Sequence, residues 1–167
     1  QVDTSTRMIY RSAISDSALN NGRFLRCGSG TLGPTIVSVE YRCALGNSVM
    51  YGVFLRYADT SNYLLCTYYT LDGMLTLTKK VAGVETVIAS SFMLDPGPLG
   101  ITASVDSSGN AIAYLQAVGS PAVLGAAIAY ADTSLASAGA LATGGYGIYD
   151  ATTFTTGVRY YDNFTVS

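Results

Sequence analysis

Residues 52–90 read GVFLRYADTSNYLLCTYYTLDGMLTLTKKVAGVETVIAS, and no other stretch restricts the fold as tightly. Four strand-like runs follow one another there: Met50–Ala58, Asn62–Thr70, Met74–Val81 and Val84–Ser90. Three short turns join them: Asp59-Thr60-Ser61, Leu71-Asp72-Gly73 and Ala82-Gly83. Glycine supplies the positive φ that tight hairpins need, and Asp and Asn side chains bond back to their own backbone. The segment is therefore an antiparallel meander, and Asp59–Asn62 builds its own turn.

The pattern extends in both directions. Thr35–Ala44 alternates cleanly, with Val37, Val39, Tyr41 and Cys43 on the core face and Ile36, Ser38, Glu40 and Arg42 on the other, as period-2 patterning requires of a half-buried strand. Arg7–Ser12 and Arg23–Gly28 precede it; Leu99–Val105, Asn110–Val118, Ala122–Tyr130, Gly145–Tyr149 and Val158–Val166 follow. Asp95-Pro96-Gly97-Pro98 is a loop; 131–145, rich in small residues and without an amphipathic face, reads as a loop, with a short helix as the alternative that its Ala and Leu allow. About twelve strands at turn spacings of 8–12 residues predict one all-β domain over 1–167, an antiparallel two-sheet sandwich.

Composition removes several functional classes. Charged residues make up 12% of the chain, against about 25% in an average domain, which points to packing within an assembly, with a homo-oligomer expected. The basic residues form no stripe with interleaved aromatics, so nucleic acid is not an expected partner. No apolar run is long enough to span a membrane as a helix, and no signal-peptide pattern opens the chain. A start at Gln1 reads as a processed form or an excised segment. Cys27, Cys43 and Cys66 sit in strand-like runs, where an odd count suits buried thiols and a reducing cytosol.

In order, several short motifs resemble one family. They are Gly52–Arg56, Asp59–Tyr63, Leu75–Lys79, Val81–Ala89, Val105–Asn110, Gly144–Ile148 and the closing Asp162–Val166. Together they resemble concanavalin A-like, laminin-G-like jelly-roll domains of the type found in bacteriophage tail, fibre and other virion proteins. The resemblance spans 35–166, and 1–34 match poorly. It implies a jelly roll with a concave face, carbohydrate as ligand, other virion subunits as partners, and a virion assembled in the bacterial cytosol and exposing this domain. It also implies the chance of one structural calcium between Asp162 and Asp3 or Asp16, against which Asp162 simply faces solvent or the neighbouring strand.

The chain has no His and only two glutamates, Glu40 and Glu85, neither in the carboxylate-rich strand that glucan-cleaving relatives carry. A glycosidase needs a carboxyl pair roughly 5–9.5 Å apart. The expectation is a non-catalytic domain. Without Trp, sugar stacking falls to Tyr: adjacent Tyr68 and Tyr69 must face opposite ways, as must Tyr160 and Tyr161, and Arg56 projects from a strand beside Tyr57. Arg56, Tyr68, Tyr69 and Tyr161 are the candidate sugar contacts, each also explicable as an ordinary strand residue. Three readings follow: a virion surface domain adhering to bacterial surface glycan, a structural or decorating subunit that self-assembles, and a secreted bacterial carbohydrate-binding module.

Overall fold

Alternation of apolar and polar residues places two sheets face to face. The computed structural model describes residues 2–3, 8–11, 23–30, 35–42, 50–93, 99–120, 122–136, 139–151 and 159–166. Within them lie thirteen strands: β1 (Val2–Asp3), β2 (Met8–Arg11), β3 (Arg23–Gly30), β4 (Thr35–Arg42), β5 (Met50–Asp59), β6 (Asn62–Tyr69), β7 (Met74–Val81), β8 (Val84–Phe92), β9 (Leu99–Val105), β10 (Asn110–Ala117), β11 (Val123–Ala131), β12 (Gly144–Asp150) and β13 (Arg159–Val166). A seven-stranded sheet runs β1-β2-β13-β4-β9-β10-β11, and a six-stranded sheet runs β3-β12-β5-β6-β7-β8. The described pairings are antiparallel throughout. The expected all-β sandwich is present, and β5 to β8 form the meander read from the sequence.

The core lies between the sheets. Val37, Val39 and Tyr41 of β4, with Ile101 of β9 and Leu115 of β10, face Tyr51, Val53 and Leu55 of β5 and Leu64, Cys66 and Tyr68 of β6. Ile36 is on the solvent side, as its parity predicts. A line of rings crosses the interior. Tyr161 tilts against Tyr41 at 5.3 Å, Tyr41 stacks on Tyr51 at 3.9 Å, and Tyr51 meets the edge of Tyr68 at 6.0 Å. Burial pushes the Cys66 thiol up to about 12, so this cysteine behaves as an inert core residue. The side chains of Cys27 and Cys43 lie outside the described residues.

Ala131 ends β11 and Gly144 opens β12, and the described residues between them hold one 3-10 turn, Thr133–Leu135. The hydrophobic spacing there fits no regular helix, yet Leu135 and Leu141 are both fully buried in the core. Asp132 secures the segment. Its carboxylate accepts from the Ser134 amide at 2.8 Å and the Ser134 hydroxyl at 2.7 Å, and pairs with Lys79 of β7. The loop following β11 of one sheet is thus tied to a strand of the other.

Turn chemistry matches the sequence reading. The Asp59 carboxylate accepts from the Ser61 amide at 2.7 Å, and that of Asp106 accepts from the Ser108 and Asn110 amides, both at 2.8 Å. Ala82 and Gly83 both have positive φ, 50° and 82°, in the two-residue β7–β8 hairpin. A Cβ in the left-handed region is strained, and Asn tolerates it better. Ala82→Asn is expected to raise the unfolding free energy by about 0.5–1 kcal/mol in urea titration, with an unchanged denaturant slope.

Burial alone would raise the Asp132 carboxyl, but the bonds from Lys79 and Ser134 outweigh it and hold the group below its ordinary value. Its contribution is therefore present above pH about 4 and fades as pH falls through the depressed native value. Asp132→Ala is expected to cost about 1–2 kcal/mol at pH 7. The difference from the parent chain should narrow in acid, as measured by urea unfolding across pH.

Candidate functional site

One extra residue in β5 shapes the outer face of the six-stranded sheet. On β12, Gly147 pairs with Phe54 and Gly145 with Tyr57, so two residues of β12 span three of β5. This β-bulge at Leu55–Arg56 keeps Phe54 and Tyr57 on the same outer face although they are three apart. Arg56 occupies the bulge at φ 55°. Its side chain is fully buried, and its Nη1 donates to the Ala142 carbonyl in the loop before β12. Desolvation lowers the guanidinium's pKa from its ordinary value. Gly144 is required beside it, because a Cβ there would lie 2.4 Å from the Arg56 carbonyl carbon.

The outer face carries a second, smaller apolar cluster. Phe54, Tyr63 and Leu65 form its floor, with half-buried Tyr57 and Tyr149 packed against them. The ladder explains the arrangement: Tyr149 faces Gly52, Phe54 faces Gly147, and Tyr57 faces Gly145 across the β5–β12 pairing. All three glycines are buried. An aromatic ring opposite a glycine can lean over the bare backbone, which gives the sheet a smooth apolar surface. Tyr57 and Tyr63 lie nearly parallel, at 15° with centroids 6.2 Å apart, and Phe54 tilts against Tyr57 at 5.2 Å.

Charged groups border these rings. Tyr63 of β6, Lys80 of β7 and Glu85 of β8 form one cross-strand row. The Lys80 ammonium lies 5.5 Å from the Tyr63 ring centroid, and the Tyr63 hydroxyl donates to Glu85 Oε2 at 3.2 Å. Burial, then the Glu85 charge and hydrogen bond, then Tyr149 and Tyr57, push the Tyr63 hydroxyl up to about 12. Tyr149 is raised too, first by burial and then by Glu85 and Asp150.

The residues singled out from the sequence are dispersed. Tyr68 is fully buried and donates to the Met93 carbonyl at 3.2 Å, so no sugar can stack on it. Tyr161 is buried against Tyr41, also between the sheets. Arg56 does not line a surface, since the bulge draws it inside. Tyr69 alone of the four stays half-exposed on the outer face, between Met50 and Met74. It is six residues from Tyr63 on β6, about 20 Å along the strand. The opposite orientations expected of Tyr68 and Tyr69 are found, and it is Tyr68 that enters the core. The sequence signal for the actual cluster was the glycine spacing Gly52, Gly145 and Gly147 opposite aromatic positions, which becomes readable only once strand register is known.

Asp162 pairs with Glu40 in the β13–β4 ladder, and Asp3 lies in β1, with β2 between β1 and β13. Two strand spacings separate those backbones by roughly 10 Å. The side chains of Asp3 and Asp162 lie outside the described residues, as does Asp16. Among the described residues no three metal-ligating side chains gather, and none beyond the sequence pattern marks a calcium site. Glu40 and Glu85 stand on the outer faces of different sheets, so they cannot flank one glycosidic bond.

No protein-family model matches the chain, and no curated protein matches it. Solved structures do. The carbohydrate-binding module CBM66 of Bacillus subtilis superposes with a TM-score of 0.64 over 97% of this chain and 96% of its own, at 14% identity. A GH43 protein of Bacillus licheniformis matches with a TM-score of 0.60 and 17% identity over 81% of this chain, but only 27% of its own. The homodimeric agglutinin CG-16 of chicken liver matches with a TM-score of 0.53 and 13% identity over 88% of this chain and all of its own (100%). At these identities the likeness establishes the fold: a concanavalin A-like, galectin-like sandwich, in agreement with the motif order of 35–166.

The Tyr63 shift carries a pH consequence. Its native value lies above the ordinary value of about 10, so its stabilisation is complete below pH 10 and fades as pH rises from there towards about 12. Tyr63→Phe should flatten that part of the stability profile relative to the parent chain, read by urea unfolding at stepped alkaline pH.

Proposed function

We propose that this domain is a non-catalytic carbohydrate-binding module whose ligand lies on the outer face of the six-stranded sheet. The observation that carries the reading is the pair of half-exposed rings Tyr57 and Tyr149, seated on buried Tyr63 and Phe54 beside Glu85 and Lys80 on an outer sheet face. Flat rings accept the apolar C–H face of a sugar, and tyrosine hydroxyls, a carboxylate and an ammonium bond its hydroxyls. Support also comes from the near-complete superposition on a protein described as a carbohydrate-binding module. A secreted bacterial module fits this reading. Attachment to a virion and a bacterial surface glycan as target are settings that the sequence resemblance suggests, and sugar binding does not depend on them.

A second reading, association of copies of the chain, is favoured by one observation. The two lateral strands on one side, β8 and β11, expose Val84, Val87, Phe92, Val123 and Tyr130. Bulges in both strands oppose simple sheet extension there, so contact through side chains is the mode this reading requires.

Binding to an array of bacterial and plant glycans tests the first reading, with mass in solution measured in parallel. Tyr57→Ala is expected to weaken binding at least about tenfold, roughly 1.4 kcal/mol, with the fold intact. Tyr68→Ala should instead lose stability. Failure to retain any glycan, together with a stable oligomer, would transfer the assignment to self-association.

A further inference from the structure

Gly100 is a glycine that the chain's own packing does not require. A Cβ on Gly52 would lie 1.9 Å from the Cys66 carbonyl oxygen, and Gly73, Gly83, Gly109, Gly119 and Gly144 take positive φ. Gly100 has neither constraint. It lies in β9 between Glu40 of β4 and Gln116 of β10. A Cβ there would meet only ordinary contacts, Val39 O at 3.6 Å, Glu40 Cγ at 3.7 Å and Gln116 Cβ at 3.8 Å. Glycine within a strand costs about 0.5–1 kcal/mol relative to alanine and often marks close approach of a ligand or another backbone.

Gly100 lines a depression of about 170 Å³ on the outer face of the seven-stranded sheet. Ser38, Glu40, Gln116, Ser120 and Thr165 wall it. Those walls are held in place. The Ser38 and Thr165 hydroxyls bond at 2.6 Å, Thr102 donates to Gln116 Oε1 at 2.9 Å, and the Gly119 amide donates to Glu40 Oε1 at 2.9 Å. The last bond fixes the turn after β10 beside the opening. Three hydroxyls, an amide and a carboxylate form a hydroxyl-recognising set, because a carboxylate accepts several hydrogen bonds at once and disfavours anions. The volume suits one small hydroxylated unit.

We propose that this depression binds a neutral polyhydroxylated ligand, a single sugar unit or a polyol, independently of the aromatic cluster on the opposite face. The test is titration of the 15N-labelled domain with glucose, galactose, mannose, fructose, N-acetylglucosamine and glycerol, each alone, followed by amide shifts. Saturable shifts of the Gly100 and Gly119 amides and the Gln116 side-chain amide are expected with at least one of them. Gly100→Val should abolish these shifts, and Glu40→Gln should weaken binding about tenfold. If the valine variant does not fold, Gly100→Ala replaces it, since its Cβ meets no clash, and reduced affinity is expected. Absence of saturable shifts with every compound, or shifts undiminished by filling Gly100, overturns the proposal. Shifts confined to Tyr57, Tyr63 and Tyr149 overturn it while supporting the aromatic site; shifts confined to Gly100 and its neighbours do the reverse.

Discussion

The β-bulge at Leu55–Arg56 is the constraint on which this face of the molecule depends. Without the extra residue, strand parity would separate Phe54 from Tyr57 and leave Arg56 on the outer face. With it, Arg56 is held in a left-handed conformation that costs about 1–2 kcal/mol, against which stands its bond to the Ala142 carbonyl. The same bulge brings the chain against Gly144, where no side chain would fit. One local irregularity thus docks the loop before β12 and assembles the outer aromatic cluster.

The interior solves a different problem. Both sheets contribute tyrosines, and the Tyr161–Tyr41–Tyr51–Tyr68 line spans the space between them with ring contacts of 3.9–6.0 Å. Large rings fill a sandwich interior about 10 Å thick with few rotatable bonds. Leu135 and Leu141 extend that core from a loop, and Lys79 and Asp132 tie the loop to the opposite sheet. The high tyrosine content is therefore divided between a buried scaffold and a partly exposed surface.

That division limits what residue type alone could say about function. Tyr68 and Tyr161 have the same side chain as Tyr57 and Tyr149, yet the first two are core and the second two surface. Parity within β6 showed that Tyr68 and Tyr69 must diverge, but not which one turns inward. That depends on Tyr68 reaching Tyr51 and the Met93 carbonyl. The two glutamates illustrate the same point. They are equally sparse in sequence, yet register sends Glu40 and Glu85 to opposite outer surfaces.

The strands from β2 onward, the meander, the hairpin turns and the core face of β4 are legible in the sequence, because period-2 patterning and turn chemistry are local. The motif order over 35–166 also determined the sandwich type, which the superpositions bear out. Tertiary structure alone decided the bulge, the burial of Arg56, the insertion of Leu135 and Leu141, and the pairing of aromatics with Gly52, Gly145 and Gly147. Each of these depends on which residue stands opposite which across strands distant in the chain, and no short stretch of sequence carries that register.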